Sequence, residues 1–354
     1  MKKLFKRTGL LLAAAFISTA AMQAQKSPQD MDRFIDALMK RMTVEEKIGQ
    51  LNLPVTGEIT TGQAKSSDVA KKIEQGLVGG LFNLKGVDKI RDVQKLAVEN
   101  SRLGIPLLFG MDVIHGYETI FPIPLGLSCT WDMTAIRESA RIAAIEASAD
   151  GISWTFSPMV DISRDPRWGR GQETWGEDPY LTTRMGVAVV RGMQGPADAK
   201  YDKTHACAKH YAVHSGPEAT RHSFDVENLE PRDLWETYLP AFKALVQEAD
   251  VKEVMCAYQR FEGEPCCGSN RLLTQILRDE WGYKHLVVSD CGAISDFFYQ
   301  GRHETHPDAA TSSASAVING TDLECGVEYA HLDEAVERAV SYTHLRAHET
   351  VLDL

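Results

Sequence analysis

A chain of 354 residues, 44% of them hydrophobic, can fill a large core, either in one α/β barrel or in two smaller domains. Its formal charge is −11, and beyond Arg7 no run rich in Lys and Arg offsets the acidic balance. Nucleic acid is excluded as a partner on that ground, because binding it needs a cationic face that displaces counterions.

The first 24 residues have the layout of a secretory signal: basic from Met1 to Arg7, apolar from Leu10 to Ile17, small at Thr19, Ala20, Ala21 and Ala24. The apolar part is too short to span a bilayer, and no cysteine stands where a lipid anchor would attach. The mature chain is expected to be periplasmic and, once residues 1–24 are removed, free of the membrane. Export permits disulfides, and seven cysteines leave at least one unpaired. Cys266 and Cys267 are adjacent, which disfavours a bond between them, while Cys207 and Cys256 lie in apolar runs and read as small core residues. No C-x-x-C pair or histidine cluster has zinc spacing, so neither a metal nor cysteine chemistry is assigned.

Helical and strand patterns then alternate. Residues 30–42 are amphipathic, and Thr43 with Glu46 forms a capping box that opens the next helix. Short apolar runs recur at 48–53, 77–84, 106–111, 152–158, 205–211, 253–258, 285–289 and 316–323. Helical stretches at 87–103, 135–150, 231–248 and 271–281 separate several of them. Eight strands divided by helices predict a parallel sheet, and eight is the number that closes a (β/α)8 TIM-type barrel. A doubly wound open sheet is the alternative; the absence of G-x-G-x-x-G or G-x-x-x-x-G-K-S/T after an early strand counts against it. From Ser341 the tail "SYTHLRAHETVLDL" has no clear face, and 341–354 is expected to be non-native.

In such a barrel the loops at the C-terminal strand ends build the site. Those ends carry Asp112, Asp161, Lys209-His210, Tyr258 and Asp290, the last in "VVSDCGA". Each has a plain structural reading. An aspartate there commonly caps the next helix, His210 alone suits a hydrogen-bonded core position, and Tyr258 suits a packed ring. Arg167 and Arg170 could serve only to pair with Asp165, Glu173 or Glu177. Caps and core residues, however, have no reason to gather at one rim. A carboxylate among Asp, Lys, His and Arg suits a polyol, and glycoside hydrolysis needs one carboxylate at the anomeric carbon and a second group to protonate the leaving oxygen. Trp168 and Trp175 are candidates for stacking on a pyranose.

The motifs "FGMDVIHG", "SPMVDISRDPRWGRGQETWGEDPYL", "KHYAVHSGPEATRHSFD", "VMCAY" and "VVSDCGAI" occur in the order of glycoside hydrolase family 3, which the chain resembles over 30–340. The resemblance implies a retaining exo-β-glycosidase with no cofactor, acting on β-linked glucosyl or xylosyl oligosaccharides or aryl glycosides. Asp290 matches the catalytic nucleophile, expected to be held ionised by neighbouring cations. Asp112, Arg170, Lys209, His210, Arg221 and Tyr258 match the residues that bind the sugar. In the family's β-glucosidases the acid/base is a glutamate of a second, α/β sandwich domain, expected to be missing here, which leaves a catalytically weak or silent sugar-binding barrel as the alternative. The single-barrel β-N-acetylglucosaminidases use a His–Asp pair after strand five instead; here that loop offers His214, His222 and Asp225, with "KHYAVHS" in place of "KHFPGHG". Up to about Gly195 the chain is most similar to the family's β-glucosidases, and from about Tyr201 to its β-xylosidases, as two joined genes or an intermediate subfamily would be. An aldolase using Lys209 as a Schiff base is a third reading.

Overall fold

The structure, a computed structural model, describes residues 28–55 and 68–338; the signal 1–24 and the tail 341–354 lie outside the described residues. The described residues divide into two units, one before Thr43 and one from Thr43 onward. In the first, the predicted amphipathic segment forms the helix Pro28–Met39. The second unit carries the barrel.

It opens with the predicted capping box: Glu46 N–H donates to Thr43 Oγ1 (3.2 Å) and Thr43 N–H to Glu46 Oε2 (2.9 Å). That double cap commits the chain to the helix Val44–Gln50, so the first half of the strand expected at 48–53 is helical. Six strands then pair in parallel: β1 (Gly80–Phe82), β2 (Leu108–Met111), β3 (Trp154–Thr155), β4 (His205–Tyr211), β6 (Glu253–Cys256) and β9 (Leu286–Ser289). Parallel bridges Val55↔Phe82, Asn52↔Glu324 and Val288↔Leu323 close the ring with two further staves, so eight segments form the barrel. The last stave is also narrower than expected. Asp308 caps a helix at Ala309–Asn319 and Gly320, at φ +113°, ends it, leaving only residues near Leu323 to pair. A small second sheet, β5 (Asp225–Val226), β7 (Arg260–Phe261) and β8 (Glu264–Pro265), sits in the loops after β4 and β6.

The expected single helix at 231–248 is broken. Pro240, which has no N–H to donate, starts the helix Pro240–Gln247, and a wide π turn at Leu234–Tyr238 precedes it. Apolar side chains separate into two layers. Leu53, Phe82, Trp154, Cys207, Met255, Val288 and Leu323 fill the barrel's interior, while a larger cluster packs the outer face of the strands against the helices. Side chains alternate along a strand, so the residue two beyond an interior one also points inward. Lys209 follows Cys207 in this way and Asp290 follows Val288, which is how a buried apolar strand delivers an acid to the barrel mouth.

The cysteines depart from their expected role. Cys256 bonds to Cys267, brought back by the β7–β8 hairpin, and Cys291 bonds to Cys325 on the neighbouring stave. Cys256 is therefore not a lone core thiol. Cys207 and Cys266 are buried and free, and Cys129 is exposed.

Candidate active site

The mouth of the barrel encloses a cavity of about 550 Å³. At its floor, Asp290 N–H donates to Cys256 O (3.3 Å), and Asp290 Oδ1 accepts from Cys291 N–H (2.8 Å). Oδ2 has no hydrogen-bond partner, with His210 Nε2 at 3.4 Å. Burial pushes the Asp290 carboxyl above the usual carboxylate range; Arg170, Lys209 and the Cys291 N–H pull it back without reversing the direction. The cations expected to hold it ionised, Arg170 and Lys209, are in place, and they act against the desolvation of a residue that is 8% exposed.

Around it the cations are fixed in place. Lys209 Nζ, at the end of β4, donates to Asp112 Oδ1 just beyond β2 (2.6 Å). Arg170 donates from Nε and Nη2 to the two oxygens of Glu173 (2.9 and 2.8 Å) and from Nη1 to His210 Nε2 (3.2 Å). Burial works against the Arg170 charge, but Glu173, Asp290 and Asp161 outweigh it and its pKa is raised. Since His210 Nε2 accepts, Nδ1 carries the proton and donates to Asp161 Oδ2 (2.8 Å). Burial, with Arg170 beside it, depresses the His210 pKa, so the ring is neutral. Arg221 donates from Nη1 to Glu218 Oε1 (2.6 Å) and lies over the Tyr258 ring at 5.1 Å. Tyr258 O–H donates to Cys291 O (3.0 Å).

All seven residues chosen from the sequence, Asp112, Arg170, Lys209, His210, Arg221, Tyr258 and Asp290, line this one cavity. Asp161 lies behind His210 rather than on the wall. The tryptophans are not stacking platforms: Trp175 is buried in the outer core, and Trp168 is buried with its indole N–H on Glu218 Oε2 (3.2 Å). Nor does the loop after β4 present a His–Asp pair to the cavity. His214 is sealed against Gln259, with burial lowering its pKa to about 3; Asp225 holds Gly263 N–H and Arg260; His222 bonds to Asp296. Sequence reasoning overlooked His115, Glu218 and the apolar wall of Phe82, Phe156 and Met255, and named Glu173 only as a loop partner. Glu218, three residues before Arg221, carried a readable signal; the apolar residues carried none.

Residues 43–349 match the glycosyl hydrolase family 3 N terminal domain. The chain belongs to that family. Its barrel is the family's N-terminal fold. Among curated relatives, the xylan 1,4-beta-xylosidase of Xylanibacter ruminicola is 51% identical over 264 residues, covering 68% of this chain and 30% of the relative. The periplasmic beta-glucosidase of Salmonella typhimurium is 39% identical over 303 residues, covering 86% and 38%. Among solved structures, the beta-glucosidase of Listeria innocua in complex with isofagomine superposes with a TM-score of 0.78 at 34% identity, over 91% of this chain and 44% of that one. The chain thus spans between 30% and 44% of the length of these relatives.

Proposed function

We propose that the chain is the nucleophile-bearing barrel of a retaining exo-β-glycosidase that removes terminal non-reducing β-D-glucosyl or xylosyl residues. The observation that carries this reading is the Asp290 carboxylate, with one oxygen oriented by a backbone N–H and the other unpaired beside a cavity ringed by cations and hydroxyl-binding groups. Asp290 Oδ2 attacks the anomeric carbon; the C1–O bond breaks, the aglycone oxygen takes a proton, and water later displaces the carboxylate with net retention. Lys209, Asp112, His210, Arg170 and Arg221 hold the ring hydroxyls, in hydrogen bonds that tighten as the oxocarbenium ion develops.

The proton donor is a separate matter. The cavity's other carboxyls, Asp112, Glu173 and Glu218, are each ion-paired, to Lys209, Arg170 and Arg221. Although burial raises it, the Arg170 guanidinium holds the Glu173 carboxyl below the usual carboxylate range, which makes it a poor acid. The resemblance points instead to a glutamate from sequence beyond the described residues. Export from the cytoplasm is part of the proposal, supported by the two disulfides, which persist in oxidising compartments. Among the described residues, no helix is long and apolar enough to cross a membrane, and no group of three or more His, Cys, Asp or Glu could hold a metal ion.

A 2-deoxy-2-fluoro glycosyl fluoride needs little acid assistance and tests the assignment directly. Mass spectrometry of the digested chain is expected to find the sugar on Asp290. Sugar binding without any label would favour the silent barrel, and borohydride trapping of a carbonyl compound on Lys209 would favour the aldolase reading.

A further inference from the structure

Two cavity residues, Arg221 and Tyr258, meet at one histidine that does not itself line the cavity. His222 Nε2 accepts from Arg221 Nε (3.1 Å), and the ring stands edge-on to Tyr258 with centroids 4.5 Å apart. Because Nε2 accepts, the proton is on Nδ1, which donates to Asp296 Oδ2 at 2.7 Å. Asp296 is fully buried on the turn Ser295–Phe297, in the loop that follows Asp290, and its other oxygen is held by Arg302. A path therefore runs from the loop after β9, through Asp296 and His222, to the guanidinium in the loop after β4. Tyr258, against the same histidine, is tied in turn to the carbonyl beside Asp290.

Physically, the Arg221 guanidinium is gripped at two points, Nη1 by Glu218 and Nε by His222, which fixes both its position and its plane. A neutral imidazole suits the second point. An acidic residue there would neutralise the charge wanted in the cavity, and an aliphatic one would leave the Nε–H without this acceptor. Asp296 decides which ring nitrogen is the acceptor.

We propose that His222, with its tautomer set by Asp296, is a positioning residue that holds Arg221 and Tyr258 at the sugar. The inference rests on the sugar-binding reading above. Asn and Gln dissect it. Asn places an amide N–H where Nδ1 stands and keeps the bond to Asp296 but loses the acceptor for Arg221. Gln places its carbonyl oxygen near Nε2 and keeps that acceptor.

The experiment uses the full chain. Glucose and xylose binding are measured by calorimetry, and the rate of labelling of Asp290 by 2-deoxy-2-fluoro-glucosyl fluoride by mass spectrometry, for His222→Asn, His222→Gln, Arg221→Gln and the Asn/Gln double variant. Misplacing a binding group costs roughly 10- to 100-fold, so His222→Asn is expected to weaken binding and labelling by about that much, with His222→Gln retaining most of both. In the Arg221→Gln background His222→Asn should cost almost nothing more, since the residue it serves has gone. Equal losses for Asn and Gln, or losses that multiply with Arg221→Gln, would overturn the proposal. Should His222→Asn not fold, Asp296→Asn takes its place in the same cycle. A wild-type chain that binds glucose without being labelled would remove the nucleophile assignment, and the binding cycle would still decide the role of His222.

Discussion

At the lower end of the ring, where strands begin, His205 Nδ1 and Glu253 Oε1 are 2.8 Å apart; at the upper end His210 Nδ1 and Asp161 Oδ2 are also 2.8 Å apart. Both carboxylates are sealed, 1% and 3% exposed, and burial raises the pKa of each. Glu253 even has an unpaired oxygen, as Asp290 does. What differs is the far side of the histidine. The His205 ring reaches toward Asp202 (3.5 Å) and is partly exposed, whereas His210 Nε2 faces Arg170, Asp290 and the cavity. A buried carboxylate–histidine pair is therefore no mark of a site by itself. The mark is an unpaired acceptor opening on a cavity among fixed cations.

The largest expected effect tests that distinction at Asp290. Replacing it with Asn should lower turnover of an aryl glycoside on the order of 10⁴-fold or more, as loss of a covalent nucleophile does. The same change should raise the thermal midpoint at pH 7. Burial raises the folded-state pKa of this carboxyl, so its contribution to stability is present below the ordinary carboxylate pKa and lost as pH climbs through the raised one. A variant that is inactive because it is less stable would place Asp290 with Glu253 as a structural acid.

The residues that make the upper end distinctive were legible because polar groups at the ends of apolar runs are conspicuous. Asp112, Lys209, His210, Tyr258 and Asp290 each stand directly or nearly so after an interior position. The apolar wall was not, because Phe82 or Met255 at a strand end looks the same whether it meets a cavity or more core. The first and last staves were misjudged for a different reason. Only two residues of each form bridges, Asn52 and Val55 in the first and Leu323 and Glu324 in the last, and the helices Val44–Gln50 and Ala309–Asn319 dominate the local pattern. The disulfides were hidden by topology: Cys291 and Cys325 lie 34 residues apart and meet only because β9 neighbours the last stave.

A smaller effect is expected at the lower end, and on stability alone. Burial raises the Glu253 pKa to about 7 from an ordinary value of 4.5, and the bond to His205 offsets only part of this. With a raised folded pKa, the contribution of Glu253 is complete below about pH 4.5 and is lost as pH rises through about 7. Glu253→Gln should flatten the fall in stability across that window, by on the order of 3 kcal/mol as an upper bound. Denaturant midpoints at pH 5 and 7.5 measure it, with labelling of Asp290 unchanged. Altered labelling would mean that the two ends are coupled.

The smallest effect separates two arginines of one loop. Arg167 and Arg170 are three residues apart and each pairs with a nearby acid, Asp165 and Glu173, so the pairing alone cannot distinguish them. Their surroundings can. The Arg167 side chain is 89% exposed, where water and salt screen the charge and ordering the side chain costs as much as the contact returns. The Arg170 side chain is 16% exposed, bound through two parallel hydrogen bonds and aimed by a third at His210. Arg167→Ala should thus leave the thermal midpoint, sugar affinity and labelling rate at wild-type values in 0.1 M salt. Its one expected signature is at Asp165, whose pKa, held at about 2 chiefly by its bond to Arg167, should return toward the usual carboxylate range, as read by carboxyl NMR titration. A loss of sugar affinity in this variant would show that the outer half of the loop also shapes the cavity, and the boundary between solvated and working charge would then lie further from Asp290.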